Sequence, residues 1–165
     1  MQLQEFFDYK NTLIGDLLTN KEIVGLINKD ISLKDAGSLV YEQVFPFEHI
    51  PETVEEGDTY ICIDVDIQKV FDKTFLSPTI LVWVFTHESK MVLPEGGVRV
   101  DKLCSEIAKV INGSRKYGLG ELELSSVKRF CPIKNFLGKV MVFSAKDFNR
   151  LYNPNKPVPA NRKNG

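Results

Sequence analysis

Hydrophobic positions along the chain switch between two periods, and the switches mark out the elements. In residues 1 to 18, Leu3, Phe6, Phe7, Leu13, Ile14, Leu17 and Leu18 recur at spacings of three and four, the signature of one helical face. Thr19 and Glu22 read as a T-x-x-E cap that starts a second short helix with Ile23, Val24 and Ile27 inward. The pattern fades after Asp30. Two prolines in "LVYEQVFPFEHIPETVEEGD" argue for an ordered excursion, at about 34–57, and not for a strand, because proline cannot donate to a ladder. "TYICIDVDI" then alternates strictly, with Ile61, Ile63, Val65 and Ile67 on one face and Cys62, Asp64 and Asp66 on the other. "PTILVWVFTH" is nearly all apolar, as a central strand covered on both faces would be. Between them, "QKVFDKTFLS" is long for a hairpin connection, so its tip is expected to project.

The clearest element follows a pair of glycines. From about Val98 to Ile111, the residues Val100, Leu103, Cys104, Ile107, Ala108 and Ile111 form one helical stripe, with Asp101, Lys102, Glu106 and Lys109 opposite. Asn112-Gly113 is the stop signal. "GELELSS" and "GKVMVFSA" read as two more strands, and residues 153–165 as a disordered basic tail. The order α-α-β-β-α-β-β predicts a single α+β domain over 1–152. Its sheet would be antiparallel, of about four strands, with the helices on one face.

Composition changes little in that picture. A 165-residue chain with 43% hydrophobic and 26% charged residues has enough apolar surface for a core without staples. The net charge of −1 gives no global case for nucleic acid or an anionic membrane. Charge is uneven, since Lys156, Arg162 and Lys163 make the last thirteen residues +3 and leave −4 for the rest. Cys62, Cys104 and Cys131 are odd in number, far apart and without a CxxC pair, which fits reduced core residues. The polar start "MQLQEFFDYK" is no signal peptide, and no apolar run approaches the roughly 20 residues of a membrane span. The expectation is a protein made in a reducing compartment, with no membrane partner.

Candidate chemistry is thin. Gly96-Gly97 and Gly118-x-Gly120 match neither phosphate-binding glycine pattern, and the first pair reads as a tight loop before the helix. Asp64 and Asp66 share a strand face and could hold a divalent metal, but no Glu-x-Lys follows on the next strand to complete a nuclease set. His49 and His87 have no second ligand at zinc spacing. Cys104 lies on the buried stripe, and no G-x-S-x-G elbow occurs. Arg115, Lys116, Lys128 and Arg129 are basic pairs without the aromatic density of a single-strand binder. No enzyme, cofactor, metal site or small-molecule substrate is expected. A metal-dependent nuclease using Asp64 and Asp66, or a nucleic-acid accessory protein using the basic pairs, is the alternative.

What remains is apolar surface in connections. Phe45, Phe47, Ile50 and Val54 lie in the excursion, and Met91, Val92 and Leu93 in the loop 88–97. Either they fold back onto their own domain or a partner covers them. The arrangement of an N-terminal helix, a strand pair, a helix opening in Arg99-Val100-Asp101-Lys102-Leu103 and a closing strand pair resembles tailed-phage tail-terminator and head–tail joining proteins. That resemblance implies a virion protein, made in the host cytoplasm, that forms a ring of six copies. The ring would cap the tail tube and dock to the head completion or connector protein. It places Arg99 and Asp101 near subunit contacts and turns loop 88–97 toward tube or partner. The candidate interface is therefore Phe45, Phe47, His49, Met91, Arg99, Asp101, Arg115 and Lys116. The long excursion at 42–57 departs from the pattern and leaves a neighbouring neck role open.

Overall fold

The computed structural model describes residues 2–52, 57–71 and 73–151. The predicted tail and Val54 lie outside those residues. Helix α1 (Gln4–Leu18) runs into α2 (Lys21–Ile27). The turn between them corrects the predicted cap: Asn20 is the N-cap, its Oδ1 accepting from the amides of Glu22 at 2.9 Å and Ile23 at 3.2 Å. Thr19 instead closes α1. A 3-10 segment (Leu33–Leu39) leads to the two-residue strand β1 (Val44–Phe45), then β2 (Thr59–Val70) and β3 (Phe75–His87). Helix α3 (Arg99–Ile111), β4 (Glu123–Phe130), β5 (Phe136–Ser144) and β6 (Asp147–Phe148) complete the described order.

The sheet has six strands in the order β1-β2-β3-β5-β4, with β6 continuing the line of β5 along β3. Three sequence expectations need correction here. The excursion contains a strand, since β1 pairs parallel to β2 through Val44–Ile61 and Phe45–Cys62, just ahead of Pro46. Proline's missing donor therefore limits the strand's length without preventing it. The sheet is mixed, of six strands and not about four, because two-residue strands are too short to show a period. The segment read as a hairpin connection is mostly strand, with pairing running out to Val70 and Leu76 past a bulge between Ile67 and Lys69.

Side-chain alternation divides the sheet into two faces. Ile61, Ile63 and Val65 pair with Val84, Val82 and Ile80, and Met141 and Phe143 of β5 lie on the same side. All are buried under the helices, with α1 and α2 over β2 and α3 over β3 and β5. Helix α3 buries Val100, Leu103, Cys104, Ile107 and Ile111 as its stripe predicts. Each such side chain contributes about 1.5–3 kcal/mol by leaving water. The glycine pair before α3 makes a tight loop as expected, with φ near +90° at both Gly96 (91°) and Gly97 (92°) and the Gly96 amide donating to Leu93 O at 2.9 Å. Gly113, at φ 79°, ends the helix and donates to Leu122 O at 2.7 Å.

Among the described residues no helix covers the opposite face. It carries Tyr60, Cys62, Asp64 and Asp66 from β2, and Leu81, Trp83 and Phe85 from β3. Val140 and Val142 from β5, with Ser126 and Lys128 from β4, continue it. Leu81 and Trp83 are only half-buried there, so β3 is not covered on both faces as its composition predicted.

Candidate interface surfaces

One end of the open face is roofed by aromatic rings. Phe45 is buried at the sheet edge and stacks on His49, with ring centroids 4.0 Å apart. Phe47 packs edge-on against Phe45 at 5.6 Å, and Tyr60 stacks on Phe85 at 5.4 Å. Phe85 meets Phe130 at 5.7 Å and Phe136 at 6.2 Å. Phe45, Cys62, Phe85 and Phe136, with Tyr60, Trp83, Phe130 and Ile133 packed against them, form a second, smaller core on the far side of the sheet from the helices. Such ring pairs each contribute about 0.5–1.5 kcal/mol beyond the area they bury. Burial pushes the Cys62 thiol up to about 12 and the Cys104 thiol up to about 11, so both stay protonated at neutral pH.

The predicted interface residues do not form one patch. Phe45, Phe47 and His49 come together, with Phe45 inside, His49 half-buried and Phe47 46% exposed beside Tyr41 and Ile50. Met91 packs partly against the main core. Arg99 points inward: its Nε donates to Lys90 O at 2.7 Å and its Nη1 to Leu26 O at 2.8 Å. It thereby ties loop 88–97 to the end of α2. Asp101 pairs with Lys139 of β5 at 2.5 Å, and that partner raises the lysine's pKa. Arg115 pairs with Glu121 at 2.8 Å, and Lys116 with Asp16 at 2.7 Å. Loop 88–97 does present apolar surface, but through Val92, which forms an isolated antiparallel bridge with Val98, also exposed, just before α3.

The nuclease alternative finds little geometric help. The Asp64 carboxylate is met by Lys10 of α1 at 2.5 Å and accepts from the Val65 amide at 2.8 Å. Among the described residues no three acidic, histidine or cysteine side chains are grouped to hold a metal.

Sequence reading missed two surfaces. The aromatic roof depends on Tyr60, Phe85, Phe130 and Phe136 sharing one sheet face, which requires the strand register. The signal available was that "LVWVF" puts large side chains on both faces. The second surface is the outer edge of β4, where Leu124 and Val127 are 37% and 44% exposed. Among the described residues no helix is long and apolar enough to cross a membrane.

This architecture defines an α+β protein whose single mixed sheet is helix-covered on one face and half-open on the other. Residues 11–145 match the family model of YomW, and the chain belongs to that family. No curated protein matches it in sequence. A chain in the solved virion of the native gene transfer agent (GTA) particle has a similar fold. The two superpose with a TM-score of 0.52 at 16% identity, covering 82% of this chain and 91% of that one.

Proposed function

We propose that this protein is a structural component of a phage-type virion, working by assembly and not by catalysis. It forms a ring at the head–tail interface, caps the tail tube and docks to the head connector. The observation that carries the reading is the likeness in fold to a chain of the GTA virion, over most of both chains. Exposed apolar side chains support it. Tyr41, Phe47 and Ile50 beside the aromatic roof, and Val92 and Val98 just before α3, are exposed apolar surfaces of the kind a multi-subunit joint would cover. A ring needs a head-to-tail interface that closes by rotation, with two different surfaces on each copy. The tail tube and connector would then meet the loops at the two ends of the ring.

Gold labelling of an epitope-tagged chain in assembled particles tests the location. Label at the head–tail junction is expected. Label spread over the capsid, or particles free of the chain, would overturn the proposal.

A further inference from the structure

The sheet ends in two edges whose surfaces complement each other. At one end, no strand among the described residues pairs with the outer side of β4. At the other, β1 pairs with β2 only at Ile61 and Cys62, and no other strand among the described residues pairs with that side of β2 from Ile63 to Val70. Open edges template pairing with another chain unless they are blunted or covered.

Each side of these edges carries its own chemistry. On the open face, β4 presents Lys128, which pairs in register with Val140, and β2 presents Asp66, which pairs with Thr79. Both side chains are exposed, and no hydrogen bond or ion pair among the described residues engages either. Within one chain they stand three strand spacings apart, roughly 14 Å, too far to meet. On the helix side, Leu124 and Val127 of β4 pair with Phe143 and Met141 but remain exposed. The matching flank of the β2 edge is α1, where Leu3 and Phe7 are each 63% exposed, one turn apart. Lys10, the next residue on that flank, reaches Asp64 on the other face of the sheet, which it can do only around the β2 edge. Leu3 and Phe7 therefore lie along that edge.

We propose that neighbouring copies of this chain join edge to edge, β4 of one copy adding antiparallel to residues 63–70 of β2 in the next. Charge meets charge on the open face, with Lys128 against Asp66. Apolar surface meets apolar surface on the helix side, with Leu124 and Val127 against Leu3 and Phe7. The strand directions fit, because β4 runs antiparallel to β2 within each chain. Lys128 stands level with Cys62 across the sheet, so meeting Asp66 of the next copy steps the joint four residues along β2 and inclines the strands to the ring axis, as closure of a staggered sheet requires. The joint is heterologous, so it propagates around a circle and makes the wall of the ring one continuous sheet. This inference rests on the ring reading above and names its interface.

Mixed-chain cross-linking tests it. In a Cys131→Ser background, which removes the exposed thiol, one full-length chain carries Asp66→Cys and a second carries Lys128→Cys. A bis-maleimide spanning about 7 Å, two residues of strand, is added at high protein concentration while light scattering follows the mass. The mixture is expected to give at least tenfold more covalent dimer than either chain alone, since like edges do not meet. No dimer in a mixture whose mass is that of a ring would overturn the edge joint and leave the ring standing. Dimer without a closed-ring mass would support the joint and overturn the ring. Monomer throughout with no cross-link would overturn both.

Discussion

Single atoms decide several positions in this fold, and Gly138 is the sharpest case. A Cβ placed there would come within 2.1 Å of Val84 O and 2.4 Å of Phe85 Cβ. Gly138 sits in register between Phe85 and Phe130, whose rings close over it at 5.7 Å. Gly138→Ala should therefore destabilise the protein by about 3 kcal/mol, the upper end for overpacking, and shift the urea midpoint accordingly. Arg99 is the second case. Arg99→Met keeps the stem but removes two charge-assisted bonds to main-chain carbonyls, with an expected loss of about 2–3 kcal/mol in the same measurement. Arg99→Lys should recover little of it, because one ammonium cannot span both acceptors in the fork geometry. Tyr117 makes the third. It is 1% exposed, and burial, with Asp16 nearby, raises its phenol pKa well above that of a free tyrosine. A neutral phenol is favoured in the folded state, so this stabilisation is complete below pH 10 and declines as pH rises above it, where the unfolded chain sheds its proton. Thermal melts of Tyr117→Phe should lose less stability than wild type above pH 10 and match it closely at pH 7.

At the scale of elements, period-based reading succeeded where an element buries one face over several turns. The stripe of α3 was legible because Val100, Leu103, Ile107 and Ile111 all face the same sheet, and the structure moves its start by only one residue. Ile107 is fully buried there, and Ile107→Ala should cost about 2–5 kcal/mol, read from the urea midpoint. β1 was not legible, because two residues carry no alternation, and its parallel pairing is set by contact with Ile61 and Cys62 far along the chain. The ends of β2 and β3 were misread as connection for a related reason. The bulge at Ile67/Lys69 breaks the alternation that would have extended the strand. The cap of α2 was displaced by one residue because Thr19 and Asn20 are both good N-cap types, and the choice falls to whichever reaches the Glu22 and Ile23 amides.

At the scale of the whole molecule, the eight residues singled out in the sequence are dispersed over the surface and interior. Phe45, Phe47 and His49 do gather, although Phe45 is spent on the molecule's own second core. Arg99, Asp101, Arg115 and Lys116 each find a partner inside the chain, and no sequence spacing foretells ion pairs between elements as distant as Asp16 and Lys116. The edge surfaces escaped notice because an edge is a property of strand order, and order appears only once the sheet is assembled. A structural role of this kind requires these chains to close on one another. Its most direct test is the solution mass of the full chain, by light scattering behind a sizing column, over a wide concentration range. One fixed multiple of 18.7 kDa that persists as concentration rises is the predicted result. A mass that stays at 18.7 kDa at every concentration would contradict it.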